Sequence, residues 1–381
     1  MKSQPSSSVV ERAPEYVRAI APYVGGKPIE EVARELDLDP ATIVKLASNE
    51  NPRGPSPRAL AAIARAAADV TRYPDGNGYA LKMALSAKLR IAPDQIVLGN
   101  GSNDVLELAT QALLRPGDHA VYSQYAFIVY PLATQARGAL GIEVPAKDHA
   151  HDLDAMRAAI TPRTRMVFIA NPNNPTGTWL AGEAVEAFIA SVPRDVTVVL
   201  DEAYNEYLEP SQQSRSMAWI ARYPNLIVSH TFSKAHGLAA LRVGYGVMDA
   251  QLADLLNRVR QPFNVNSLAQ AAALAALDDD AYVEESRRLN RAGMQQLERG
   301  LSALRLRYLP SHGNFILIEV GDAKPVYQAL LRQGIIVRPV GNYDLPACLR
   351  VTVGTEAENA RFLAALAPAL ASRVSATTRA D

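Results

Sequence analysis

Cysteine is nearly absent: Cys348 is the only one in 381 residues. A single thiol excludes an intrachain disulfide and any thiolate metal cluster, and no metal site is expected. Cys348 stands just before an apolar run and reads as a small buried residue rather than a nucleophile. Net charge is absent too, because 39 Lys and Arg balance 39 Asp and Glu. The basic residues form no tract or stripe, so nucleic acid and anionic membrane surfaces are not expected partners. No apolar run approaches the ~20 residues a membrane-spanning helix needs. The first eleven residues are polar and Ser-rich without a hydrophobic stretch, so no secretory leader is expected, and the expected location is cytoplasmic. Repeats and low-complexity tracts are also missing. Hydrophobic residues make up 48% of the chain, enough for a sizeable core, and its length implies two domains or one large domain with an attachment.

What the chain does have is a strand–loop–helix alternation. Residues 95–98 predict a strand, 99–102 a loop and 103–114 a helix. Further strands are predicted at 120–122, 165–170, 196–200, 226–228 and 243–248, with a helix at about 182–190. Strands buried on both faces read as near-continuous Val/Ile/Leu runs, and helices between them imply a mostly parallel sheet. Upstream, a turn-rich arm at 22–28 precedes a helix over 29–36 and a short strand at 43–46. Ser56 and Pro57 supply an N-cap and first helical position for a helix to about residue 68, and another helix spans 79–89. After residues 262–266 the texture changes. Helices at 267–277, 281–304, 323–333 and 356–371 alternate with strands at 315–320, 335–338 and 349–353, which implies a small α+β domain. Residues 372–381 are small and polar and are expected to be mobile.

Polar clusters directly follow several predicted strands. In a parallel sheet those carboxyl ends converge on one site. Gly99-Asn100-Gly101-Ser102-Asn103, at a helix start, offers free backbone N–H groups and the positive helix end to an anion. Thr231 and Ser233 add hydroxyls, and Arg242 adds a forked guanidinium suited to phosphate. Asp201 ends an apolar strand, where a carboxylate is costly to bury unless paired. It serves as a structural cap or salt-bridge partner, or it pairs with a protonated heterocyclic nitrogen. Lys234 lies past the end of another strand, and a partly desolvated amine there suits Schiff-base chemistry with a carbonyl. Tyr204 and Asn174 can hydrogen-bond a phenolic oxygen, and Phe127 can stack on a planar ring. Taken singly, each is ordinary core or turn chemistry.

Taken together they resemble a known family. Asn171-Pro-Asn-Asn-Pro-Thr-Gly177, Asp201-Glu-Ala-Tyr204, Thr231-Phe-Ser-Lys234 and Leu241-Arg-Val-Gly-Tyr245 resemble the fold-type I, class I/II aminotransferases that use pyridoxal 5'-phosphate. Lys45-Leu-Ala-Ser-Asn-Glu-Asn-Pro52, Arg72-Tyr-Pro-Asp75, Gly99-Asn-Gly-Ser102, Pro262-Phe-Asn-Val-Asn266 and Leu349-Arg-Val-Thr-Val-Gly354 narrow the resemblance to histidinol-phosphate aminotransferases. Two positions depart from the pattern. Asn103 stands where Asp is frequent, and Ala240 where Gly is common.

The resemblance implies a large α/β cofactor-binding domain over residues 52–262, with a mostly parallel sheet flanked by helices. It implies a small domain built from 1–51 with 263–381. Lys234 would carry the cofactor as a Schiff base and shuttle the proton. Asp201 would pair with the ring nitrogen, Tyr204 and Asn174 would bind the 3-oxygen, and Phe127 would stack on the ring. Ser102, Asn103, Ser233 and Arg242 would hold the phosphate. Tyr73 would reach the cofactor phosphate of a neighbouring subunit, making a homodimer with shared active sites. Arg350 would bind the substrate anion, with Arg338 and Tyr23 as further substrate contacts. The implied reaction moves an amino group between histidinol phosphate and 2-oxoglutarate. Two rivals share the scaffold: an aromatic-amino-acid aminotransferase, and a decarboxylase acting on a phosphorylated amino acid such as threonine phosphate.

Overall fold

The runs Thr197–Asp201 and Leu226–Thr231 are buried at every residue, as expected for strands covered on both faces. The computed structural model describes residues 8–23 and 25–377. In chain order its strands are β1 (Val44–Lys45), β2 (Ile96–Gly99), β3 (His119–Ser123), β4 (Leu140–Val144), β5 (Thr164–Ala170), β6 (Thr197–Asp201), β7 (Leu226–Thr231), β8 (Gly244–Met248), β9 (Arg307–Leu309), β10 (Phe315–Glu319), β11 (Ile335–Ile336), β12 (Arg338–Pro339) and β13 (Cys348–Thr352).

Seven of these form one sheet in the order β2-β8-β7-β6-β5-β3-β4. The pairs from β7 through β6, β5 and β3 to β4 are parallel, whereas β8 runs antiparallel between β7 and β2. Apolar side chains pack on both faces. One cluster joins Val198, Leu200, Val228 and Val247 to the helix Ser267–Leu277, and the other joins Val199, Ile227 and Phe168 to the helix Ser102–Leu113. The carboxyl ends of β5, β6 and β7 therefore open on one side, where residues 171–177, 201–206 and 232–238 emerge.

A second core lies in the four-stranded antiparallel sheet β12-β13-β10-β9 and the helices Ala323–Arg332, Asp280–Ala303 and Glu356–Thr377. Val44 and Leu46 belong to this core, and β1 pairs parallel with β11. The segment that follows, residues 47–51, leaves this core for the end of the large sheet.

Several elements differ from the sequence expectation. The helix Val129–Gln135, β4 and the helix Leu153–Ala158 occupy a stretch where no elements were expected. β4 is an edge strand with Leu140 53% exposed, so it lacks the buried apolar run by which its neighbours are recognised. The helix Ala250–Val259 and the edge strand β9 were likewise not anticipated. Cys348 is the first residue of β13 and only half-buried, not a fully buried core residue. The final helix runs to Thr377, through much of the segment expected to be mobile; 378–381, and at the other end 1–7 and Val24 of the arm, lie outside the described residues.

Candidate active site

The helix Ser102–Leu113 starts after Gly101, which has φ 83° and offers no side-chain cap. A Cβ at Gly101 would collide with the Arg242 guanidinium, so glycine is required both by conformation and by this close approach. Arg242 Nη1 donates to Ser233 Oγ at 3.3 Å and to the Ala239 carbonyl at 2.9 Å. Its Nη2 reaches the Asn100 carbonyl at 3.5 Å. Ser102, Asn103, Thr231, Ser233 and Arg242 thus border one cavity of about 410 Å³. No acidic residue among the described residues forms a salt bridge with Arg242, so this corner is electropositive and suits an anion.

Asp201, at the end of β6, is 5% exposed and lines the same cavity. Its Oδ2 accepts from the Tyr130 hydroxyl at 2.9 Å and its Oδ1 from the Ala203 N–H at 3.2 Å. Burial pushes this carboxyl up to about 6, with those two hydrogen bonds opposing the rise. Tyr130 is fixed in turn by stacking on Phe168, with centroids 4.6 Å apart, and meets Phe127 edge-on at 5.8 Å. Tyr130 was not anticipated from the sequence, because it lies in the stretch 124–164 where no element was recognised. Its only signal was an aromatic two residues beyond Ile128.

Lys234 Nζ donates to the Ser48 carbonyl at 3.3 Å and sits 5.6 Å from the centroid of the Tyr204 ring. Burial and then the nearby Arg350 charge lower its amine to about 8. The lowering brings the unprotonated form, needed to attack a carbonyl or accept a proton, within easier reach of neutral pH. The Tyr204 hydroxyl accepts from Asn49 Nδ2 at 2.9 Å, and burial raises its phenol to about 12.

Arg338 and Arg350 stand directly opposite each other on β12 and β13, and both are buried. Like charges facing across a ladder are destabilising, so this pairing favours an incoming anion. Arg350 Nη1 donates to Asn174 Oδ1 at 2.6 Å and its Nη2 to the Ala47 carbonyl at 2.8 Å, while its Nε is buried without a partner. Asn174 therefore spends its oxygen on Arg350 and keeps its amide N–H₂ as the donor it can present to a ligand. Tyr23 lines the cavity, its ring centroid 5.5 Å from the Arg338 guanidinium carbon.

One expected site residue is not brought in. Tyr73 is 82% exposed, stacks on Phe263 at 4.8 Å and does not line the cavity. Its stacking partner Phe263 is exposed as well.

The comparisons agree with one another. The family model for class I and II aminotransferases matches residues 41–366. The chain is 62% identical over 356 residues to histidinol-phosphate aminotransferase 2 of Pseudomonas fluorescens, covering 93% of this chain and 96% of the relative. It is 60% identical over 361 residues to the histidinol-phosphate aminotransferase of Methylobacillus flagellatus, covering 95% and 98%. Among solved structures it resembles the histidinol-phosphate aminotransferase of Sinorhizobium meliloti in complex with pyridoxal-5'-phosphate. The TM-score there is 0.89 at 30% identity, with 96% of this chain and 99% of that chain covered.

Proposed function

The chain belongs to the class I and II aminotransferases and, within them, to the histidinol-phosphate aminotransferases; on that premise we propose that it moves an amino group between histidinol phosphate and 2-oxoglutarate in histidine biosynthesis. Pyridoxal 5'-phosphate is the cofactor. The described residues fit it: an amine for its aldehyde, an ionisable buried carboxyl for its ring nitrogen, donors for its 3-oxygen and an electropositive corner for its phosphate. When bound, the cofactor supplies an electron sink that makes the α-C–H of the substrate amine acidic.

Lys234 Nζ is the group that holds the cofactor and, once released, takes and returns the α-proton. Asp201, held by Tyr130, would pair with the ring nitrogen as its anionic partner. Tyr204 and the Asn174 amide donate to the 3-oxygen, and Phe127 covers one ring face. Ser102, Asn103, Ser233 and Arg242 hold the phosphate. Arg350, with Arg338 and Tyr23 beside it, grips the anion of either substrate.

The observation that carries the substrate assignment is the in-register pair Arg338 and Arg350 at the cavity mouth. Glutamate carries a carboxylate on its reacting carbon, and histidinol phosphate carries a phosphate ester one carbon further out. One guanidinium fork accepts either, and a second cation favours the phosphate. Steady-state kinetics on a panel of histidinol phosphate, phenylalanine, tyrosine and threonine phosphate test the reading. Histidinol phosphate is expected to have the highest kcat/KM. A higher value for phenylalanine, or carbon dioxide release from threonine phosphate, would replace it with one of the rivals.

A homodimer completes this reading. The exposed stacked pair Tyr73 and Phe263 is an aromatic surface suited to a second copy, in which Tyr73 would reach the partner's cofactor phosphate. Tyr73→Phe alone is expected to weaken cofactor affinity about tenfold, one hydrogen bond to a charged group. Subunits of Lys234→Ala and Tyr73→Phe, mixed and re-paired, should regain one tight site per mixed dimer. Affinity that stays weak across the mixture argues against the shared site. A cytoplasmic location belongs to the same reading; no helix among the described residues is long and apolar enough to cross a membrane.

A further inference from the structure

Behind the cofactor site lies a buried charged cluster that the mechanism above does not use. Strand β6 ends in Asp201 and is followed directly by Glu202, 5% and 2% exposed, and Glu206 follows in the next turn. Three carboxyl groups this close in the chain, taken out of water, need a compensating cation or must become neutral. The cation comes from the adjoining strand. Asp201 pairs in register with Ser229, which places His230 of β7 one residue beyond. His230 Nε2 lies 3.1 Å from Glu202 Oε2, and its Nδ1 lies 3.4 Å from Glu206 Oε1.

We propose that His230 is a positioning residue for this reaction: its imidazolium, clamped between Glu202 and Glu206, is the buried counter-charge that keeps Asp201 ionised beneath the cofactor ring. The inference rests on the reading of Asp201 as partner of the ring nitrogen.

The surroundings favour a charged imidazole. From β6 it faces Glu202 and, beyond it, Asp201; from the turn Asn205–Tyr207 it faces Glu206. From β8, Tyr245 stacks on it at 5.2 Å and 12°, and burial keeps that phenol neutral. From the lysine loop, His236 lies near the same acids, but burial lowers it, so it brings no competing charge. Ser214 and Ser216 donate to Glu202 and fix it as an acceptor. Burial alone would discharge His230, but the close carboxylates of Glu202 and Glu206 outweigh it and lift the imidazole to about 10. The positive charge of His230 in turn opposes the rise of the Asp201 carboxyl.

Three holoenzymes test this: wild type, His230→Gln and His230→Arg. The first readout is thermal unfolding against pH. A folded-state value raised to about 10 from an ordinary 6.5 gives stability that is complete below 6.5 and lost as pH climbs through the raised value. The wild-type melting temperature should therefore exceed that of His230→Gln most at mildly acidic pH, with the gap closing toward alkaline pH. A gap independent of pH overturns the proposal. The second readout is the acid limb of kcat/KM. It should move up by about one unit in His230→Gln, a tenfold loss on that limb, and return in His230→Arg, whose charge is permanent. An unmoved limb in His230→Gln refutes the proposal. If His230→Gln does not fold, a limb displaced upward in folded His230→Arg refutes it instead. Full activity of Asp201→Asn would overturn the underlying assignment of Asp201, an outcome distinct from either result for His230.

Discussion

Replacing Lys234 by alanine abolishes transamination. The expected fall in kcat is at least about 10⁴-fold, because the substitution removes the attacking amine and the proton carrier together. The site is built around that amine. Its hydrogen bond to the Ser48 carbonyl is long at 3.3 Å, so the amine is held without being locked. Its lowered value of about 8 comes from burial and from Arg350, and neither depends on any other group in the loop. The variant should also lose the visible absorption of the lysine-bound cofactor while keeping the phosphate corner of Arg242 and Ser233. It should therefore still bind the cofactor non-covalently, and absorbance with equilibrium dialysis checks both points. A colourless variant that still turns over would remove Lys234 from the mechanism. Arginine at the same position should not rescue activity, since its guanidinium does not give up its proton in this pH range.

Arg350→Ala should cost about 10²–10³-fold in kcat/KM for both amino donors, the scale expected on removing one buried charge-assisted hydrogen-bonding partner. The effect is expected in KM more than in kcat, because the arginine binds the substrate's anion and does not touch the proton being moved. Three features raise it above that of a surface arginine. The side chain is 7% exposed, its fork is preset by Asn174 and the Ala47 carbonyl, and its guanidinium carbon lies 5.4 Å from the centroid of the Phe315 ring. Arg350→Lys should recover little, since one ammonium cannot serve both of those acceptors and an anion as a fork does. Arg338→Ala separates the two substrates: histidinol phosphate should suffer more than glutamate, because only the phosphate extends to the second cation. Equal effects on both would assign Arg338 to structure. Steady-state kinetics with each donor measure these outcomes.

The sheet was readable where its strands are buried on both faces. Val196 to Leu200, apolar but for Thr197, and Leu226 to Val228 carry apolar runs, and their carboxyl ends pointed to Asp201 and Lys234. The anion corner was readable only in combination: glycine and hydroxyl residues are ordinary at a helix start, but here they coincide with Arg242 and with the converging strand ends. The antiparallel return of β8 was not readable. The apolar run 243–248 looks the same in either direction, and the connection over residues 232–243 is long enough for either. Tyr130 and the cluster around His230 were missed for a different reason. Tyr130 meets Asp201 across 71 residues of chain, and His230 meets Glu202 from a different strand, so no local period encodes either pairing. Arg350 opposite Arg338 is visible only once the register of β12 with β13 is known.

The short run after β1 has a consequence for how the protein is made. Ala47 accepts from Arg350, and Asn49 donates its N–H to the Thr352 hydroxyl, hydrogen bonds that span 303 residues. Asn49 also donates to the Tyr204 hydroxyl, and Asn51 to the Ala235 carbonyl. A growing chain emerges from the ribosome with residues 47–51 early, yet their partners on β13 appear only near the end of synthesis. The large sheet has all its strands by residue 248, so it can form while this segment still waits. The Arg350 end of the site is thus completed only when translation is almost finished. A nascent chain stalled before β13 already holds Lys234, Arg338 and Tyr23 but still lacks Arg350 and the Thr352 partner of Asn49.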